Sequence, residues 1–336
     1  MIGLENMGQL PHKSILIFIV LLFYSLVFSS CSRPPQPPGP EPSRFPAVEE
    51  AAHAQEYVDL NTLLMESTFR LQGIASEDSV LIGTAFIIDL PCKEDPEKAV
   101  LITSSHLLDS LRSDRALLGL RDKRWDGTWE ERPWWIDIRR DGKPLWLRHK
   151  DVDVAALCIS LPRFADIPLR SMDFLADEGT FERYEIHPGD ELMCLGYSSV
   201  NGVHGSGGFP ILRGGKIASY PLLPVRRVPT FRYDVEIFKG YSGGPVYFSQ
   251  VGRLYDGVSH PEEHIQFIAG LLSRQWFADK EETQPLKVAE VVHSHFIRET
   301  VQKVLSREGE GKIVEEVLKE RGEEALIKRE QLNRRP

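Results

Sequence analysis

The chain has 336 residues, 42% of them apolar and 26% charged, with a formal net charge of −9 at pH 7. That length and composition suffice for one or two domains with a buried core, and an acidic balance without a long basic stripe argues against nucleic acid, whose phosphates need clustered Lys and Arg. The four cysteines include no Cys-x-x-Cys pair, so a cysteine metal site is not expected, and if one of them carries a lipid the odd number left makes no complete disulfide framework.

From Ser14 to Ser30 the run SILIFIVLLFYSLVFSS is uncharged, mostly apolar and preceded by Lys13, the profile of an export signal. It ends at Cys31 in FSSCS, which resembles the lipobox of bacterial lipoproteins with Phe28 where leucine is usual. The resemblance implies a lipid on Cys31 and a chain anchored in the cell envelope, facing the periplasm or exterior. An uncleaved membrane anchor and simple secretion are the alternatives.

Residues 32–48 are rich in proline and read as an extended tether. From Glu49 to about Met65, helix-forming residues with apolar spacing predict a short amphipathic helix. From Ser67 to about Ser273 the pattern changes to short runs rich in Val, Ile, Leu, Phe and Tyr, among them VLIGTAFIIDL, KAVLITSSH, DVAALCISL, ELMCLGY and FIAGLLS, punctuated by Gly, Pro and Asp. Many short strands with turn signals between them predict a β barrel or sandwich. Cys158 and Cys194 fall inside such runs and are expected as buried free thiols, while the state of Cys92 stays open. LKVAEVVHSHFIRETVQKVL, from Leu286, has helical spacing, and the charged residues 306–336 suit a solvated helical tail. The folded domain is thus expected over 49–305.

Serine is a weak nucleophile at neutral pH and needs an adjacent base, normally His, itself oriented by an acid. Ser242 stands in FKGYSGGPVYF; upstream, His106 closes AVLITSSH and Asp153 opens DVAAL. In this order and at domain-scale spacing, GTAFII, ITSSH, DVAAL and GYSGGPV resemble the strands and motifs of the trypsin-like serine peptidases, especially the bacterial branch without activation cleavage. The resemblance covers roughly Thr68 to Ile297. It implies two six-stranded antiparallel β barrels, endopeptidase activity on a protein or peptide substrate, and no cofactor or metal. It casts His106 as base, Asp153 as its orienting acid, Ser242 as nucleophile, and the backbone N–H groups of Gly240 and Ser242 as the oxyanion hole. Glu236 would lie at the base of a specificity pocket walled by Ser273, Arg274 and Gln275, or else outward on a loop. Two departures stand out: Tyr241 precedes the serine where Asp or Asn is usual, and Ser104 and Ser105 precede His106 where small apolar residues are common. They make a non-catalytic, peptide-binding protein of the same fold the alternative reading.

Other motifs compete less well. GYSGG also fits the nucleophile elbow of α/β-hydrolases, but an elbow must lead into a helix, and Gly-Gly-Pro followed by a β-type run disfavours one. HPEEH, from His260 to His264, has the spacing of a zinc-binding helix, yet the residues after it read as a strand. His293 and His295 would lie on different helix faces and are read as packing or surface residues. The tryptophan-rich RWDGTWEERPWW is read as hairpin packing.

Overall fold

The computed structural model describes residues 59–90, 98–199, 205–279, 281 and 284–307. The apolar segment at 14–30, Cys31, the proline-rich linker, Cys92 and the tail beyond Arg307 lie outside the described residues. Among the described residues the fold is all-β, two large antiparallel sheets and a two-stranded one (residues 139–140 with 143–144), with helices at their margins.

In chain order the elements are α1 (Leu60–Ser67), β1 (Thr68–Ser76), β2 (Ser79–Ile88), β3 (Lys98–Thr103), α2 (Ser105–Ser110), β4 (Arg115–Lys123), β5 (Trp129–Asp137), β6 (Arg139–Arg140), β7 (Lys143–Pro144), β8 (Leu147–Arg148), β9 (Ala155–Ser160), α3 (Glu178–Arg183), β10 (Glu191–Gly196), β11 (Ile211–Ile217), β12 (Thr230–Asp234), β13 (Pro245–Tyr255), β14 (Val258–Phe277), β15 (Pro285–His293) and α4 (Ser294–Arg307). The first sheet has the order β5-β4-β1-β2-β3-β9-β8, and the second closes as β10-β11-β12-β15-β14-β13. The second is the six-stranded barrel expected; the first departs from expectation. It has seven strands, and its end strands do not pair with each other, because β8 is only two residues long and β5 is largely solvated. A second correction concerns residues 286–293, which form β15 instead of a helix. Val288, Val291 and Val292 are β-branched; Val291 buries into the barrel core and Val292 into the core between barrel and first sheet, while Leu286 and Lys287 stay exposed.

Period-2 alternation divides the apolar residues between cores. On β3, Ala99 and Leu101 face the core of the first sheet, whereas Val100 and Ile102 face a core shared with the barrel. Strands buried on both faces read as unbroken apolar runs, which is why KAVLIT shows no polar alternation. The shared core also takes Leu60 and Leu64 from α1 and Phe296, Ile297, Val301 and Val304 from α4. Asp59 caps α1 by accepting from the N–H groups of Asn61 and Thr62, and α1 is tied to the barrel by Leu60 N–H donating to Gln266 Oε1 at 2.7 Å and by the Tyr247 hydroxyl on Asn61. The helix α4, last in sequence, packs chiefly on β9 of the first sheet.

Cys194 is buried and free, as expected. Cys158 is not: it is disulfide-bonded. Its position on β9 is half-buried between the fully buried Leu157 and Ile159, so its sulfur points away from the sheet's own core.

Candidate active site

β3 ends at Thr103, and the chain turns through Ser104 into α2, whose second residue is His106. Asp153 precedes β9, the neighbour of β3 in the sheet, so strand pairing brings the two side chains together. His106 Nδ1 lies 2.6 Å from Asp153 Oδ2. Three further donors converge on the same carboxylate: His106 N–H at 2.9 Å and the Ser105 hydroxyl at 2.7 Å on Oδ1, and the Ser273 hydroxyl at 2.7 Å on Oδ2. Burial alone would raise the Asp153 pKa, but the bonds and charge of His106 with these other donors outweigh it and hold the carboxyl well below the usual carboxylate range. An ionised Asp153 fixes the proton of the imidazole on Nδ1 and leaves Nε2 as the proton-accepting nitrogen.

Ser242 sits in the turn between β12 and β13, held from the first sheet by a single residue. Thr84, on β2, donates its N–H to Ser242 O at 2.9 Å and its hydroxyl to Gly240 O at 2.7 Å, and its Oγ1 accepts from Tyr197 N–H at 3.0 Å. Gly240 has φ +107°, and a Cβ there would lie 2.4 Å from Tyr197 O, so no other residue fits this backbone. Gly243 has φ +87°, donates to Leu272 O at 2.7 Å, and approaches so closely that a Cβ would meet Thr84 O at 2.0 Å. The glycines around Ser242 are therefore requirements of a tight turn packed against two strands.

The Ser242 hydroxyl donates to Ser273 O at 3.3 Å and makes no hydrogen bond to His106. Catalytic bonds are often unformed without substrate. Both side chains line one cleft of about 670 Å³ with Asp153, Gly240, Ser273, Arg274 and Gln275. The structure thus brings together the residues named from the sequence for the peptidase site, Glu236 excepted. Its side chain is 59% exposed and pairs with Lys287 Nζ at 3.2 Å; Val235 and Ile237 on either side are buried, and alternation turns the residue between them outward. Arg274 is exposed on the cleft wall. Ser273, expected as pocket wall, also links the two halves of the site, hydroxyl on Asp153 and carbonyl on Ser242.

The two unusual features around the site have physical explanations. Ser104 donates to Leu272 O at 3.1 Å and Ser105 to Asp153, so hydroxyls before His106 satisfy buried acceptors. Tyr241 is fully buried, its ring against Gly196 of β10. Its hydroxyl lies beside Arg213 without a hydrogen bond of normal geometry, and burial pushes the phenol pKa up against the partial pull of that cation. HPEEH lies in β14, with His264 Nε2 2.9 Å from Ser249 Oγ, so the segment is a strand and not a metal-binding helix.

No protein-family model and no curated protein matches the chain. Among solved structures, it is similar to the Rv3671c protease from M. tuberculosis in its active form, with 16% sequence identity, a TM-score of 0.42, and coverage of 73% of this chain and 83% of that one.

Proposed function

We propose that this chain is a serine endopeptidase of the trypsin-like type. The observation that carries the reading is the convergence of an Asp153-pinned His106 with Ser242 on one cleft. In this reading His106 Nε2 takes the Ser242 proton as Oγ bonds to the scissile carbonyl carbon. The resulting oxyanion accepts hydrogen bonds from Gly240 and Ser242 N–H, each worth about a hundred- to a thousandfold in rate. The imidazolium returns its proton to the leaving amine, and water, deprotonated by the same nitrogen, frees the acyl group and restores Ser242.

A second reading, a protease-fold protein that binds peptides without cutting them, is favoured by the Ser242 hydroxyl resting on Ser273 O instead of His106. A fluorophosphonate probe separates the two. The first reading expects labelling of Ser242, abolished in Ser242→Ala and slowed at least about a hundredfold in His106→Ala; an unlabelled native chain sinks it.

The protein is further proposed to work outside the cytoplasm, held by a lipid on Cys31. The apolar segment before Cys31 supports this, as does the disulfide at Cys158, since such bonds persist in oxidising compartments. Among the described residues no helix is long and apolar enough to cross a membrane. A Cys31→Ala chain that keeps its lipid label would contradict the anchor.

A further inference from the structure

The cleft beside Ser242 is lined by Val80–Ile82 of β2, by His106 and Leu107 of α2, and by two segments that flank the serine, the β14 stretch Ser273–Gln275 and the segment Ile237–Gly240 leading into its turn. Ser242 stands where they meet: Gly240 precedes it on one wall, and its hydroxyl rests on the Ser273 carbonyl of the other. A side chain of a substrate held next to Ser242 must enter between them. That gap is crossed by Gln275, whose Nε2 donates to the Ile237 carbonyl at 2.9 Å in a half-buried setting. Neither nearby glutamate is free for a Lys or Arg side chain: Glu236 is turned out to Lys287, and Glu290, which also lines the cleft, is paired with Arg232.

We propose that Gln275 is a specificity-determining crossbar that restricts the residue on the acyl side of the cut bond to glycine, alanine or serine, an inference that rests on Ser242 being the nucleophile. A larger side chain must push the amide aside and strip the Ile237 carbonyl of its donor while filling the space a water would need. Leaving such a group unpaired is worth about tenfold to a hundredfold in discrimination.

The test uses the full-length chain and two diphenyl phosphonate esters that differ only in carrying an alanyl or a phenylalanyl side chain beside phosphorus. A small ethyl fluorophosphonate reports the reactivity of Ser242 itself. The alanyl probe is expected to label the native chain at least about tenfold faster than the phenylalanyl probe, and the ratio is expected to approach one or invert in Gln275→Ala. Should that variant fail to fold, Gln275→Glu, whose carboxylate cannot donate to a carbonyl, is expected to shift the ratio the same way. Equal labelling of the native chain by both esters, or a ratio unchanged in the variants, overturns the crossbar and leaves the nucleophile standing. No labelling of either chain by any of the three probes overturns the nucleophile and the crossbar together.

Discussion

Replacing Gly196 by alanine tests whether Tyr241 holds the Ser242 turn in place. An added Cβ would stand 2.4, 2.5 and 2.9 Å from three atoms of the Tyr241 ring, closer than carbon atoms can pack. Tyr241 has no exposed surface into which to move, so the ring and its backbone must shift. That backbone is part of the turn: Tyr241 N–H donates to Phe238 O at 3.2 Å, and its carbonyl accepts from Gly244 N–H at 3.0 Å. Overpacking of this kind costs about 1–3 kcal/mol of stability, and a displacement of about 1 Å beside a nucleophile costs on the order of a hundredfold in rate. Gly196→Ala should therefore lower the urea midpoint by an amount matching that range and slow fluorophosphonate labelling of Ser242 by one to two orders of magnitude. Tyr241→Phe is the control, for it keeps the ring and removes a buried hydroxyl with no hydrogen bond; its stability should equal or exceed the native value by up to about 1 kcal/mol. A Gly196→Ala chain with native midpoint and native labelling rate would refute the reasoning, and a Tyr241→Phe chain destabilised by more than about 1 kcal/mol would show that Arg213 does pair with the phenol.

Three further outcomes follow from the same structure. His293, buried between the rings of Phe181 and Phe231, has its pKa lowered to about 4 by burial and by the charge of His295. Because the unfolded chain binds this proton more readily, stability should be full above about pH 6.5 and fall by about 3 kcal/mol as the pH drops to 4. Urea melts across that range should show a smaller loss in His293→Leu, and equal losses would exclude the assignment. Thr84→Val, which keeps the shape but removes the hydroxyl bridging Gly240 O and Tyr197 N–H, should cost about 1–3 kcal/mol and slow labelling of Ser242; a chain unchanged in both would show that the turn holds without this bridge. Arg121 is buried, donates to the carbonyls of Met65, Glu66, Thr68 and Gly208 and to the Tyr197 hydroxyl, and lies over the rings of Phe69 and Phe209. Arg121→Met should cost about 3 kcal/mol or more in denaturant titration, and a loss below about 1 kcal/mol would show that water replaces it.

What the sequence made legible was whatever depends on local pattern. The apolar runs located most strands, and the Gly-Gly-Pro after Ser242 excluded a helix there. Contacts made by side chains far apart in sequence were not legible. The hydroxyls of Ser105 and Ser273 reach Asp153 across 48 and 120 positions, and nothing adjacent to either serine marks it as a donor to that carboxylate. Arg121 looks like any charged residue until five acceptors and two rings are seen around it. Glu236 was closer to readable, since buried neighbours on both sides imply an outward side chain once the segment is known to be extended. The helical spacing of Leu286–Leu305 misled for its first eight residues because the valines of β15 fit a 3.6-residue period as well as a pleat; pairing with β12 and β14 decided between them. For Cys158, an apolar run says that a strand is buried but not which thiol faces a partner.

Among the described residues, each β unit borrows a helix from the other's end of the chain. α1, which comes first, is bonded to the barrel through Gln266 and Tyr247, and α4, which comes last, lies on the sheet that carries His106 and Asp153. Such a clasp makes neither half separable: a ribosome that has already released Ser242 has still not made the helix that completes the core beneath its partners. The cleft can come into register only after residues 294–307 are available, so any reactivity of Ser242 waits on a segment made well after it, and a chain cut between β15 and α4 would lose the helix that completes the core.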